Sequence, residues 1–204
     1  MKTMFAGDTP YNRVMTKVFD VVLVSVLTLL CCLPVVTAGA ALTAACAMYM
    51  KMAKNQEGAI VPSYFAAFKS NLKESVAGWL LLLAGMAVLV ASLCLYRQSG
   101  IGYGMMIVPT GLYCVYLIWY FCLRARFAET TASALKNSLK FFLAFLPLSL
   151  FLELYLAALL ALFLWQPMLF VVQIFLTVAG VFYLPCVLIG KKMDRYIEEK
   201  ELAR

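Results

Sequence analysis

Glu153 sits twelve residues from either end of an otherwise apolar run, Phe141–Trp165. An unpaired acidic side chain near the middle of a bilayer costs about 2.5–3.5 kcal/mol on insertion scales, so such a residue is expected to face the interior of a helix bundle. Ser149 lies one turn earlier on the same face, and Ala157 and Ala161 keep that face narrow enough for a neighbouring helix. Two readings are open. In one, a protonated or hydrogen-bonded Glu153 ties helices together through Gln173, Tyr113 or Tyr116. In the other, Glu153, Ser149 and Gln173 mark an intramembrane polar site for a proton, a cation or a polar substrate.

The remaining residue types suited to chemistry are poorly placed for it. Cys31, Cys32, Cys46, Cys94, Cys114, Cys122 and Cys186 all lie within or beside apolar stretches, with no CxxC pair and no histidine in the chain. Along the sequence they read as small hydrophobes. Zinc, haem and histidine acid–base chemistry have no ligand pattern here, and no catalytic residue, cofactor site or metal site emerges. The stretch Gly100-Ile101-Gly102-Tyr103-Gly104 fails the GxGxxG spacing and follows no strand, so it is expected to be a short turn.

The elements that must carry these residues are membrane helices. The chain is 65% hydrophobic and 13% charged, against roughly 45–50% and about 25% in ordinary soluble domains. A bilayer accepts such apolar surface, and a spanning helix needs about 20 residues of it. No alternating barrel pattern appears, which leaves helices as the form that satisfies the backbone internally. The expected fold is an all-α polytopic bundle of about six segments, 18–36, 37–52, 76–96, 103–123, 141–165 and 168–190. These form one domain, 1–190, followed by a charged tail, 191–204. The first two segments either cross separately or form a re-entrant hairpin.

Basic residues orient the bundle, since short cytoplasmic loops are enriched in them. Lys2, Arg13 and Lys17 precede the first run. Lys51, Lys54, Lys69 and Lys73 fill the second gap, Arg124, Arg126, Lys136 and Lys140 the fourth, and Lys191, Lys192, Arg195, Lys200 and Arg204 the tail. With a hairpin over 18–50, every one of these falls on one side and Arg97 alone on the other, so both termini are expected in the cytoplasm. Val35-Val36-Thr37-Ala38 resembles a signal-peptidase site, but the run before it exceeds a usual signal-peptide core, and the segment is read as retained.

Two of the basic gaps carry helical stripes. Phe65, Phe68, Leu72 and Val76 recur at spacings of three and four opposite Lys69, Ser70 and Lys73, with Pro62 suited to a first turn. Phe127, Thr131, Leu135 and Leu139 repeat the theme beside Lys136 and Lys140. Both gaps are expected to form short amphipathic helices in the headgroup layer, so the bilayer, not nucleic acid, is the expected partner of the basic residues. Phe68-Lys69-Ser70-Asn71-Leu72-Lys73 and Leu135-Lys136-Asn137-Ser138-Leu139-Lys140 lie 67 residues apart, which hints at a parallel internal repeat.

The order Leu33-Pro34-Val35-Val36-Thr37-Ala38-Gly39-Ala40-Ala41-Leu42-Thr43-Ala44, then Tyr64-Phe65-Ala66-Ala67-Phe68-Lys69-Ser70-Asn71-Leu72-Lys73, resembles the YesL family of bacterial membrane proteins, also called domain of unknown function 624. Pro34, Thr37, Gly39, Phe65, Phe68, Lys69, Asn71 and Lys73 carry the resemblance, and Leu135-Lys136-Asn137-Ser138-Leu139 and the multi-helix tail fit the same pattern, so that it covers nearly the whole chain. It implies a multi-pass protein of a bacterial plasma membrane, often encoded beside carbohydrate ABC transporters and sensor kinases. It supplies no catalytic residues. The resemblance thus suggests a non-enzymatic accessory or regulatory partner of a carbohydrate ABC transporter permease or a membrane sensor kinase. The alternative is a small secondary transporter with a midplane site near Glu153. Physically, Pro34 stops a helix, Gly39 permits a turn, and Ala40, Ala41, Ala44 and Ala45 let helices approach closely.

Overall fold

The computed structural model describes residues 10–56, 58–127, 130–165 and 183–196, and among these residues it is helical, with no strand. The elements are α1 (Pro10–Cys32), a 3-10 turn (Val35–Thr37), α2 (Ala38–Ala53), α3 (Ile60–Leu95), α4 (Gly100–Arg126), α5 (Thr131–Ala144) and α6 (Leu146–Trp165). A last helical stretch, α7, covers 183–196. Gln173, most of the expected segment 168–190 and residues 197–204 of the tail lie outside the described residues.

Among the described residues, four helices are long and apolar enough to cross a membrane, with windows Met15–Cys32, Val35–Ala53, Ser75–Leu95 and Gly100–Arg126; α5 and α6 together could supply a fifth. Their outward faces are apolar, as lipid requires: Leu81, Val88, Leu95, Ile101, Met105 and Leu154 are all exposed.

Helix α2 occupies the centre. Ala40, Ala41, Ala44 and Ala45 are fully buried, and their small side chains let flanking backbones come close. The Pro34–Gly39 stretch leads the chain into α2. The Thr37 hydroxyl donates to the carbonyls of Cys31 and Pro34, both at 2.9 Å, closing the turn after α1. The Trp79 indole donates to the Val35 carbonyl at 2.7 Å. A Cβ on Gly39 would stand 2.4 Å from the Trp79 Cβ, so α2 and α3 cross where one of them has no side chain.

The same device recurs along α3 and α4. A Cβ on Gly78 would fall 2.0 Å from the Tyr120 hydroxyl, and one on Gly85 would fall 2.4 Å from the Tyr113 hydroxyl. Seven residues separate the glycines and seven separate the tyrosines, so two antiparallel helices interlock twice at the same period.

Three expectations are corrected. Residues 62–75 form no separate interfacial helix; they are the first part of α3, which runs unbroken to Leu95. At 1.5 Å per residue, 36 residues reach about 54 Å, well beyond a hydrocarbon core of about 30 Å, so the lysine-bearing end extends past it. Nothing between Lys69 and the apolar stretch breaks the helix. The expected segment 141–165 is not one helix: α5 ends at Ala144, and α6 leaves at 91°. Pro147 lacks the N–H that would bond the carbonyl four residues earlier, so the α5 ladder cannot run through it and the chain leaves helical geometry at Phe145, φ −110° and ψ 39°. Finally, Gly100–Gly104 is no turn. Helix α4 begins at Gly100, capped by the Ser99 hydroxyl accepting from the Gly102 N–H at 3.3 Å.

Candidate functional site

Glu153 projects from α6 onto α4. A Cβ on Gly111 would lie 2.8 Å from its Oε1, so the glycine makes the space in which the carboxyl rests. The groups expected to bind it are occupied elsewhere. The Tyr113 hydroxyl donates to the Leu82 carbonyl at 2.8 Å, and the Tyr116 hydroxyl to the Leu135 carbonyl at 3.2 Å. Ser149 faces α4 as Glu153 does, but its fully buried hydroxyl accepts from the Trp119 indole at 3.1 Å and reaches the carbonyls of Phe142 and Phe145. The Phe142 carbonyl is in the last turn of α5 and the Phe145 carbonyl also takes the Ser149 N–H at 3.0 Å, so Ser149 bridges the bend. The structure therefore brings Ser149 and Glu153 to one interface without joining them.

The other polar groups inside the bundle behave alike. Ser25 and Tyr49 meet at 3.0 Å between α1 and α2, Thr43 and Ser75 at 3.5 Å between α2 and α3, and Tyr64 donates to the Ala41 carbonyl at 3.3 Å. Tyr120 alone is a buried side-chain group without a hydrogen bond among the described residues.

Residues of the family-like motif divide by role. Pro34, Thr37 and Gly39 form the turn and the α2–α3 crossing described above. Phe68 packs against the core, whereas Phe65 and Lys69 are exposed. Asn71 turns back on its own helix, donating to the Ala67 carbonyl at 2.9 Å. Lys73 lies in α3.

At the end of the bundle where α2 and α4 finish, charged groups converge. Asp194 of α7 accepts from Lys54 at 3.1 Å and from Arg126, and Lys17 donates to Asn55 at 2.6 Å. Burial pushes the Asp194 carboxyl up, but hydrogen bonds from Arg126 and Lys54 outweigh it and hold the group below the usual carboxylate range. Asn55 has φ 52°, a left-handed conformation that asparagine tolerates. Basic residues from the N-terminal stretch, the second gap and the fourth gap thus meet at one end of the bundle.

Sequence reasoning missed one cluster. Cys46 of α2, Cys122 of α4 and Cys186 of α7 are fully buried, and their sulfurs lie within 4.8 Å of one another. The Cys122 sulfur is 3.2 Å from that of Cys186 and 4.0 Å from that of Cys46. Read singly, each is an apolar filler; only the packing of three helices makes them a group.

Residues 21–93 match the model of a family described as "Protein of unknown function, DUF624". The match takes in Pro34–Gly39 and Tyr64–Lys73 and leaves Leu135–Lys140 outside. Neither a curated protein nor a solved structure matches the chain.

Proposed function

We propose that the chain is a bacterial plasma-membrane protein of the YesL type, with both termini cytoplasmic, that acts without catalysis as an accessory or regulatory partner of carbohydrate uptake or sensing. The resemblance at Leu33–Ala44 and Tyr64–Lys73 points to that setting, with a carbohydrate ABC transporter permease or a membrane sensor kinase as the partner. The observation that supports an accessory role is the use made of polar groups. Ser25, Thr43, Tyr64, Tyr113, Tyr116 and Ser149 each close on a neighbouring helix. They serve packing rather than lining a path for solute.

Cross-linking in native membranes followed by affinity purification tests the reading. It expects stable recovery of a permease or sensor kinase of carbohydrate uptake. Failure to recover either, under conditions that retain another complex of the same membrane, would contradict it.

One observation favours a second reading, a small secondary transporter: the Glu153 carboxyl rests on Gly111 without an ion pair among the described residues. Proteoliposomes separate the two. A transporter moves proton or cation with a sugar-like solute and stops when Glu153→Gln removes the charge, while an accessory protein shows no flux in either form.

A further inference from the structure

We propose that Cys46, Cys122 and Cys186 form a binding site for one soft monovalent cation of the Cu(I) type. Such a site is independent of the partner reading above. Three features carry it.

The first is spacing. With edges of 3.2 and 4.0 Å and a third no longer than 4.8 Å, a point in the plane of the sulfurs lies at most about 2.4 Å from each, close to the metal–thiolate bond of about 2.3 Å seen for zinc. No helix has to move for three bonds to form.

The second is donor type. All three donors are sulfur, the chain contains no histidine, and no fourth ligand joins the group among the described residues. Structural zinc is four-coordinate, and harder cations want oxygen; thiolates alone select a soft ion. A planar set of three sulfurs suits a monovalent ion better than a tetrahedral one.

The third is location. Cys46 lies two turns before Lys54 and Cys186 two turns before Asp194, while Cys122 lies one turn before Arg126. Those three residues are the ion-paired group at the basic end. The thiols therefore sit a short way inside that end, on the same three helices. An ion entering there would bond α2, α4 and α7 to one another. Each thiol that becomes a ligand loses its proton to solvent, so binding strengthens as pH rises.

The test uses the full-length purified protein in nanodiscs, anaerobically, with Cu(I) supplied from a chromogenic chelator and Ag(I) as a redox-inert probe. Native mass spectrometry is expected to show one ion per chain. X-ray absorption on the wild type should show three sulfur neighbours at about 2.3 Å. Cys122→Ser and Cys186→Ser should each weaken binding at least tenfold, whereas Cys94→Ser, at an exposed position, should leave it unchanged. An absorption spectrum with nitrogen or oxygen neighbours would overturn the proposal even if a variant failed to fold. So would wild-type protein that takes up no ion, or that carries a Cys122–Cys186 disulfide when alkylated directly in native membranes.

Discussion

The two lysine-bearing segments, Phe68–Lys73 and Leu135–Lys140, share three of six residues but open onto different architecture. The first continues through Gly78 and Leu80 as one helix, α3. The second turns 91° at Phe145, before Leu146 and Pro147. At the interval of 67 residues, Phe145 corresponds to Gly78 and Pro147 to Leu80. Among the differences that follow the two segments, α4 meets the Gly78/Phe145 pair with adjacent residues. Tyr120 fills the space that Gly78 leaves. Trp119 stacks on Phe145 at 5.9 Å and on Phe141 at 6.3 Å, so the bend closes around its indole. Both amphipathic segments are helical; the residues a turn or two further on set where the helix goes.

The largest effect should come from emptying the bend. Trp119 is fully buried, and Trp119→Ala removes both stacks and the donor to Ser149, so it should cost about 3–5 kcal/mol of unfolding free energy. Thermal melts in detergent would measure it. Next, Leu80→Pro places the proline that follows the second segment at the matching point after the first. Leu80 is exposed, so the loss of about 3 kcal/mol comes from the backbone alone. A neutral result would mean that α3 is already broken there.

Gly78→Ala should cost about 1–3 kcal/mol through overpacking, and Tyr120→Phe, by removing the nearest atom, should restore part of it. Additive losses in the double variant would show that the two residues do not meet. The smallest effect concerns the basic end of the bundle. Asp194→Asn should lower stability by about 1 kcal/mol at neutral pH, given partly exposed partners. Because the folded-state carboxyl is held below its ordinary value of about 3.9, that stabilisation is present above this value. It disappears as pH falls through the depressed one, so wild type and variant should converge in acid and separate toward neutrality.

Much of this was legible in the chain. Apolar runs announced the helices, and Pro34, Thr37 and Gly39 announced the first break. The α3 boundary was not, because an amphipathic stretch and an apolar stretch joined without proline or glycine–proline punctuation differ in surroundings, not in backbone. Shared phase on α6 places Ser149 on the face of Glu153, yet phase cannot say that the Ser149 hydroxyl meets Trp119. Tyr113 and Tyr116 are candidate partners of Glu153 along the chain, but carbonyls of α3 and α5 take their hydroxyls. The thiol cluster left no local signal, since Cys46, Cys122 and Cys186 are separated by 76 and 64 residues and meet only through tertiary packing. Arg124, counted with the loop, is buried within α4.

Electron–electron distances between spin labels in nanodiscs test the contrast between the two segments most directly. Exposed positions Ala66 and Ala87 on α3, and Ser133 and Leu154 on α5 and α6, are equivalent pairs 21 residues apart. A continuous helix places the first pair about 32 Å apart at 1.5 Å per residue, while a right-angled bend at Phe145 brings the second to about 22 Å. Equal distances for the two pairs would contradict a straight α3 set against a bent α5–α6.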